Sequence, residues 1–217
     1  FIFIHGVSLY FIHSQHCVAM KPLIKKTLRQ GRRINKHAVS IANNAYDRLF
    51  RSDTLIKSDL TEKQEIHSNG LMSVNYYPPL QESTIELNDG SVMGVEKNTK
   101  TIPLVIVPPL AASSLIFDLL PHRSLVKFFL AKGFAVYLID WGQPKREHTH
   151  LGMKDYVEDM LPDAIAHIRE HSGQQQLSLM GWCMGGLFSL MYTALSHDKD
   201  IKNIITIASP IDSRQGG

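Results

Sequence analysis

The chain has 217 residues, 44% of them hydrophobic and 20% charged, enough for one domain with a substantial core. No apolar run is long enough to span a membrane, and two distant cysteines, Cys17 and Cys183, exclude a disulfide framework and point to a reducing, cytoplasmic compartment. The net charge of +3 is uneven: residues 20–57 carry ten Lys and Arg against two Asp, and residues 58–217 carry thirteen against eighteen acidic residues, so a nucleic-acid-binding core is not expected.

Residues 1–19 hold no charged side chain apart from neutral His, and the first Met is Met20. Met20-Lys21-Pro22-Leu23 reads as a bacterial start, so residues 1–19 are expected to be upstream translation rather than native protein. A signal peptide is the rival reading. It would need a basic n-region, and His13, Ser14, Gln15 and His16 interrupt its apolar stretch. Residues 20–82 form a basic, partly helical N-terminal region. Ala38, Ile41, Ala42, Ala45 and Leu49 fall on one face of a helix expected over residues 35–51. The bland reading of its basic end is a solvated face; a coenzyme phosphate, an anionic surface or a partner is the sharper one. Residues 52–83 read as polar and irregular, with Asn69-Gly70 and Pro78-Pro79 as turn markers.

The core is expected over residues 83–217. Alternation in Thr84-Ile85-Glu86-Leu87 and again over residues 91–96, around Asn88-Asp89-Gly90, predicts a hairpin. Unbroken apolar runs follow at residues 102–107, 134–139, 177–180 and 204–207, as suits parallel strands covered on both faces. Helices are expected near 122–132, 154–171 and 186–197. In the second, Tyr156, Val157, Met160, Leu161, Ala164, Ile165 and Ile168 make the buried stripe. Strand and helix alternate, so the fold class is α/β, a doubly wound and mostly parallel sheet.

Between the third run and the last helix lies Gly181-Trp182-Cys183-Met184-Gly185-Gly186. Strand, Gly-bounded turn and helix in that order make a nucleophile elbow, with Cys in place of the usual Ser. Such an elbow holds its nucleophile in a strained backbone conformation. Residues two before and two after it press on neighbouring backbone, where Gly181 and Gly185 leave out a Cβ. The helix N-terminus would favour a thiolate at Cys183, and the Met184 amide would point at an oxyanion. The blander alternative is a buried structural Cys beside a tight turn. No residues are assigned to a metal.

Several motifs recur in an order that resembles one family. Pro103-Leu104-Val105-Ile106-Val107-Pro108-Pro109 leads to Ile116-Phe117-Asp118-Leu119. Arg123-Ser124-Leu125-Val126 and Val136-Tyr137-Leu138-Ile139-Asp140-Trp141-Gly142 follow. Asp155-Tyr156, the elbow, and Ile207-Ala208-Ser209-Pro210-Ile211-Asp212 complete the series. Over roughly residues 100–212 the chain resembles the polyhydroxyalkanoate synthases, above all the short class III type. That resemblance implies an α/β-hydrolase fold and an acyltransferase that polymerises (R)-3-hydroxyacyl-CoA with release of CoA. Cys183 matches the family's nucleophile and would carry the growing chain as a thioester. The oxyanion would be held by the amide of Met184 and by one at Leu110 or Ala111. Acyl-CoA is then substrate, and no cofactor is implied. Implied partners are the polyhydroxyalkanoate granule surface and a homodimer or second synthase subunit, in a cytoplasmic, granule-associated setting without a transmembrane segment.

Enzymes of this fold order their partners nucleophile, acid, His. Asp198, Asp200, Asp212 and His197 follow Cys183 but read as surface residues, and His148 and His150 as solvated loop residues. The catalytic Asp and His are therefore expected beyond Gly217, with the C-terminal strands, in a chain read as an N-terminal fragment that is inactive by itself. Two alternatives stand beside this reading. One is a dienelactone-hydrolase-like Cys hydrolase, which shares the elbow. The other is a truncated, inactive chain that binds granules or a partner.

Overall fold

The computed structural model describes residues 61–110 and 112–212; the helix expected over residues 35–51 and the start expected at Met20 lie outside them. The first elements are an antiparallel pair, β1 (Gln64–Asn69) and β2 (Met72–Tyr77), turned by Gly70 and Leu71 with Gly70 at φ 64°. This corrects the sequence reading, which left residues 52–83 irregular and began the core near Ser83. β2 pairs with the strand Val136–Asp140 in the main sheet, and Lys57–Gly217 is one compact unit. Met72, Val74 and Tyr77 of β2 are buried. β1 is a polar edge strand whose outer residues stay exposed, so it lacks the apolar alternation that marks a strand.

β3 (Thr84–Glu86) and β4 (Val92–Gly94) form the expected hairpin, as a small sheet of its own. β5 (Leu104–Val107) enters the main sheet. A 3₁₀ turn at Ser114–Phe117 and the short pair β6 (Asp118–Leu120) and β7 (Arg123–Ser124) lead into α1 (Leu125–Ala131). The helix expected from residue 122 starts instead at Leu125. Ser124 is extended, and its hydroxyl accepts the Lys127 N–H at 2.9 Å as an N-cap. β8 (Val136–Asp140) follows.

Asp155–Met160 is wound as π-helix and continues into α2 (Leu161–Ser172). Pro162 has no N–H with which to close an α-turn, and the Leu161 N–H reaches back to the Tyr156 carbonyl. The stripe predicted here is buried, from Tyr156 and Val157 to Ile165 and Ile168, with Met160 packed against it. β9 (Leu177–Trp182), α3 (Met184–Ser196) and β10 (Ile201–Ile207) complete the described elements.

The main sheet runs β1-β2-β8-β5-β9-β10, with β8, β5, β9 and β10 parallel. Val105, Val107, Tyr137 and Ile139 pack in one layer with Leu161, Ile165 and Phe188 of the helices. Their neighbours Leu104, Ile106, Val136 and Leu138 pack in the opposite layer with Val126 and Leu130 of α1. Both faces of the central strands are covered, which is why their sequences are unbroken apolar runs. Burial of each such side chain stabilises by about 1.5–3 kcal/mol. The C-terminal ends of β5, β8 and β9 lie side by side, the edge at which open α/β sheets place their ligands. No helix among the described residues is long and apolar enough to cross a membrane.

Candidate active site

β9 delivers the chain to Cys183, which adopts φ 53°, ψ −120°, a region that costs a residue with a Cβ about 1–3 kcal/mol. The surrounding backbone holds it there. The Cys183 N–H donates to the Ile207 carbonyl of β10 at 2.8 Å, and the Cys183 carbonyl accepts the N–H of Gly186 at 3.1 Å. Cys183 is a free, half-buried thiol at the N-cap of α3. Met184 is the first residue of that helix, and first-turn amides have no intrahelical acceptor.

The three elbow glycines are required by space. A Cβ on Gly181 would overlap Gly186, which crosses directly over it. On Gly185 it would overlap the Val107 carbonyl oxygen and lie 2.7 Å from that of Pro108. On Gly186 it would overlap the Ser209 hydroxyl and lie 3.0 Å from the Gly181 carbonyl oxygen. The sequence reading anticipated the first two approaches. It did not anticipate Ser209, whose buried hydroxyl has no hydrogen-bond partner among the described residues.

The Gly185 contact brings the loop after β5 against the start of α3. That loop is fixed from a second side, because the buried Trp141 donates its Nε1–H to the Pro108 carbonyl at 2.9 Å. Trp141 itself packs edge-on to Tyr156 and Phe188. Next to it, Asp140 accepts the Ser114 hydroxyl at 2.6 Å and the Gly142 N–H at 2.9 Å. Gly142, at φ 69°, lets the chain pass over the Leu71 carbonyl, where a Cβ would overlap. Between these loops opens a cleft of 190 Å³ lined by Leu110, Ser113, Ser114, Asp140 and Trp141 among others. The ring of Trp182, exposed beside Cys183, meets Phe117 edge-on at 6.0 Å.

The remaining site residues fall as follows. Leu110 is exposed on the wall of the cleft, and Ala111 lies outside the described residues. His197 caps the far end of α3, some 20 Å from Cys183 at about 1.5 Å per helical residue, and cannot reach the thiol. Asp200 and Asp212 are exposed, as expected. Asp198 is not a surface residue: its side chain is only 10% exposed. It accepts both Arg169 Nη2 bonds at 2.8 and 2.9 Å and the Tyr192 hydroxyl at 2.7 Å. Burial opposes its charge, but the Arg169 and Tyr192 bonds hold its carboxyl below the usual aspartate range. This group fastens α2 to α3 and is remote from the elbow. One further grouping escaped the sequence reading: His67, Asp163 and His167 meet at the sheet edge. Only the four-residue spacing of the last two was visible in the chain.

Residues 102–215 match the family described as alpha/beta hydrolase fold. Curated relatives cover about half of the chain. The poly(3-hydroxyalkanoate) polymerase subunit PhaC of Haloferax mediterranei is 43% identical over 117 residues, 52% of this chain and 24% of that protein. The protein of the same name from Allochromatium vinosum is 40% identical over 111 residues, 51% of this chain and 31% of its own length. That from Synechocystis sp. is 40% identical over 123 residues, 57% of this chain and 32% of its own. The chain thus matches these relatives over about a quarter to a third of their length.

Proposed function

The chain belongs to the alpha/beta hydrolase fold family, and on that premise we propose that it is the nucleophile-bearing part of a polyhydroxyalkanoate polymerase of the short type. The observation that carries the reading is Cys183 at φ 53° between β9 and α3, in a chain about half of which is 40–43% identical to three polymerase subunits. The Cys183 sulfur attacks the thioester carbonyl of a (R)-3-hydroxyacyl-CoA. The negative oxygen so formed is stabilised by the Met184 amide and by one from the loop at Leu110 or Ala111. Collapse expels the CoA thiolate and leaves the acyl group on Cys183. The 3-hydroxyl of the next unit then attacks that thioester and forms an oxygen ester; its proton goes to the departing Cys183 sulfur, as the proton Cys183 gave up in the first step leaves with CoA. Each cycle breaks one CoA thioester and makes one ester. Thioester exchange is nearly balanced in energy, so a sulfur carrier keeps the acyl group transferable.

The cleft lined by Leu110, Ser114 and Asp140 shares Pro108 with the loop that meets Gly185, and is offered as the place where the acyl unit enters. The granule surface and a second synthase subunit are the partners this reading implies. The test is incubation of the full-length protein with (R)-3-hydroxybutyryl-CoA, followed by intact mass and free CoA. A mass gain localised to Cys183 with release of CoA supports the proposal, and Cys183→Ala should abolish both. CoA release undiminished in the Ala variant sinks it. Product analysis separates a polymerase, which yields oligomeric ester, from a hydrolase, which yields free hydroxy acid.

A further inference from the structure

Away from the elbow, the fold brings together three side chains that are distant in sequence. His67 lies on β1, and Asp163 and His167 lie one turn apart on α2, which packs along that strand. His67 Nε2 is 2.8 Å from Asp163 Oδ2. His167 Nδ1 is 3.3 Å from Asp163 Oδ1 and 2.9 Å from the Asp163 carbonyl oxygen. The two imidazole rings stack with centroids 3.6 Å apart and planes 13° apart. Asn69 Nδ2 donates to Asp163 Oδ2 at 3.2 Å and orients the carboxylate from outside. One donor atom from each of His67, Asp163 and His167 lies within 4.8 Å of the other two.

Two imidazole nitrogens and a carboxylate oxygen make a two-nitrogen, one-oxygen donor set. Such a set suits borderline divalent ions such as Zn²⁺, Co²⁺ or Ni²⁺ and does not suit Mg²⁺ or Ca²⁺, which take oxygen donors. We propose that His67, Asp163 and His167 form a site for a zinc-type divalent cation that staples the edge strand β1 to α2.

The donor atoms are close enough to share one ion, which would turn the two rings out of their near-parallel stack so that each ring plane contains it. Metal–ligand bonds of about 2.0–2.2 Å set two tetrahedral donors about 3.4 Å apart. His167 Nδ1 and Asp163 Oδ1 stand at 3.3 Å, and an ion between them would replace the bond that this nitrogen now donates to the Asp163 carbonyl. His67 and Asp163 must part by about half an ångström as the ion takes the place of the proton between them. All three residues are half-buried, which leaves a fourth position open to water. Asn69 supplies the outer hydrogen bond that commonly orients a ligating carboxylate. β1 is polar and, among the described residues, pairs only with β2 in the sheet, so it has little apolar burial to hold it. An ion bound to the folded form alone would stabilise that edge.

The experiment is calorimetric titration of chelator-treated full chain with Zn²⁺, with a thermal melt and the visible spectrum of the Co²⁺ form. The chain has eleven His, so the controls matter. Expected are one bound ion per chain, a melting temperature raised by Zn²⁺, and a Co²⁺ spectrum of four-coordinate type. Asp163→Asn and His167→Ala should each weaken binding about tenfold or more, while His148→Ala and Cys183→Ala should bind as the parent does. Because His67→Ala also removes packing from β1, the two α2 variants carry the test. Absence of stoichiometric binding in the parent overturns the proposal. So does parent-like binding by both α2 variants, which would place the ion on other histidines.

Discussion

Trp141 donates its indole N–H to the carbonyl oxygen of Pro108 at 2.9 Å, and that carbonyl faces Gly185 at the first turn of α3. One buried ring at the end of β8 therefore sets where the loop after β5 meets the nucleophile elbow. Its bond crosses the sheet edge at the strand end where the candidate chemistry is placed.

Trp141→Phe keeps most of the ring packing on Tyr156 and Phe188 but leaves the Pro108 carbonyl without its donor. A loss of about 1–2 kcal/mol in unfolding free energy is expected, measured by urea denaturation. If the loop carries the second oxyanion amide, acylation of Cys183 slows about tenfold or more. Parent-like stability and acylation together would show that the indole bond positions nothing.

Gly185→Ala is expected to destabilise by about 3 kcal/mol or to prevent folding, because the added carbon meets two backbone carbonyls that cannot move without shifting β5. Gly152→Ala is the control: the nearest atom to its new carbon would be Asp155 Oδ2 at 3.8 Å. That variant should lie within about 0.5 kcal/mol of the parent. Chemical denaturation of the two side by side distinguishes crowding at the elbow from a general intolerance of Gly→Ala.

Asp198→Asn breaks the paired bonds to Arg169 and should cost about 2 kcal/mol at pH 7. Asp198 is held below the usual aspartate range, so its contribution is present above about pH 4 and is lost as pH falls through the folded value. The gap between parent and variant should therefore close on acidification. Urea midpoints at pH 7 and pH 3 check this; a gap of equal size at both would exclude the charge as its source.

Tyr137 and Tyr192 behave oppositely. Burial pushes both hydroxyls up to about 12, and Tyr192 also donates to Asp198. Between the ordinary tyrosine value near 10 and about 12, the folded chain keeps protons that the unfolded chain releases. Stability is whole below about pH 10 and falls as pH rises toward 12. Tyr192→Phe should be weaker than the parent at pH 8 and show a shallower alkaline decline. A steeper decline in the variant would refute this assignment.

The sequence made the inner sheet legible because its strands are apolar on both faces, a pattern that needs no knowledge of partners. The elbow was legible for a similar local reason: strand, glycines and helix are contiguous, and crowding at Gly181 and Gly185 follows from the turn itself. β1 and β2 were not read as strands although Asn69-Gly70 marks their turn. The outer strand is polar, and the inner one buries Asn75 beside Val74, which blurs its alternation. Asp198 was misplaced on the surface because Arg169 and Tyr192 sit on two different helices. The contact of Ser209 with Gly186 and the meeting of His67 with Asp163 depend on sheet order, which no local pattern encodes.

The three elbow glycines face three separate parts of the chain: α3 itself, the Val107–Pro108 carbonyls, and Ser209 after β10. A sulfur's position is thus keyed by segments that meet only once the sheet has closed. A folding intermediate with β9 and α3 formed, but with β10 undocked, would contain an ordinary thiol and no elbow. The setting of Cys183 thus depends on all three segments being docked, and its reactivity toward a small thiol reagent would report on completion of the fold.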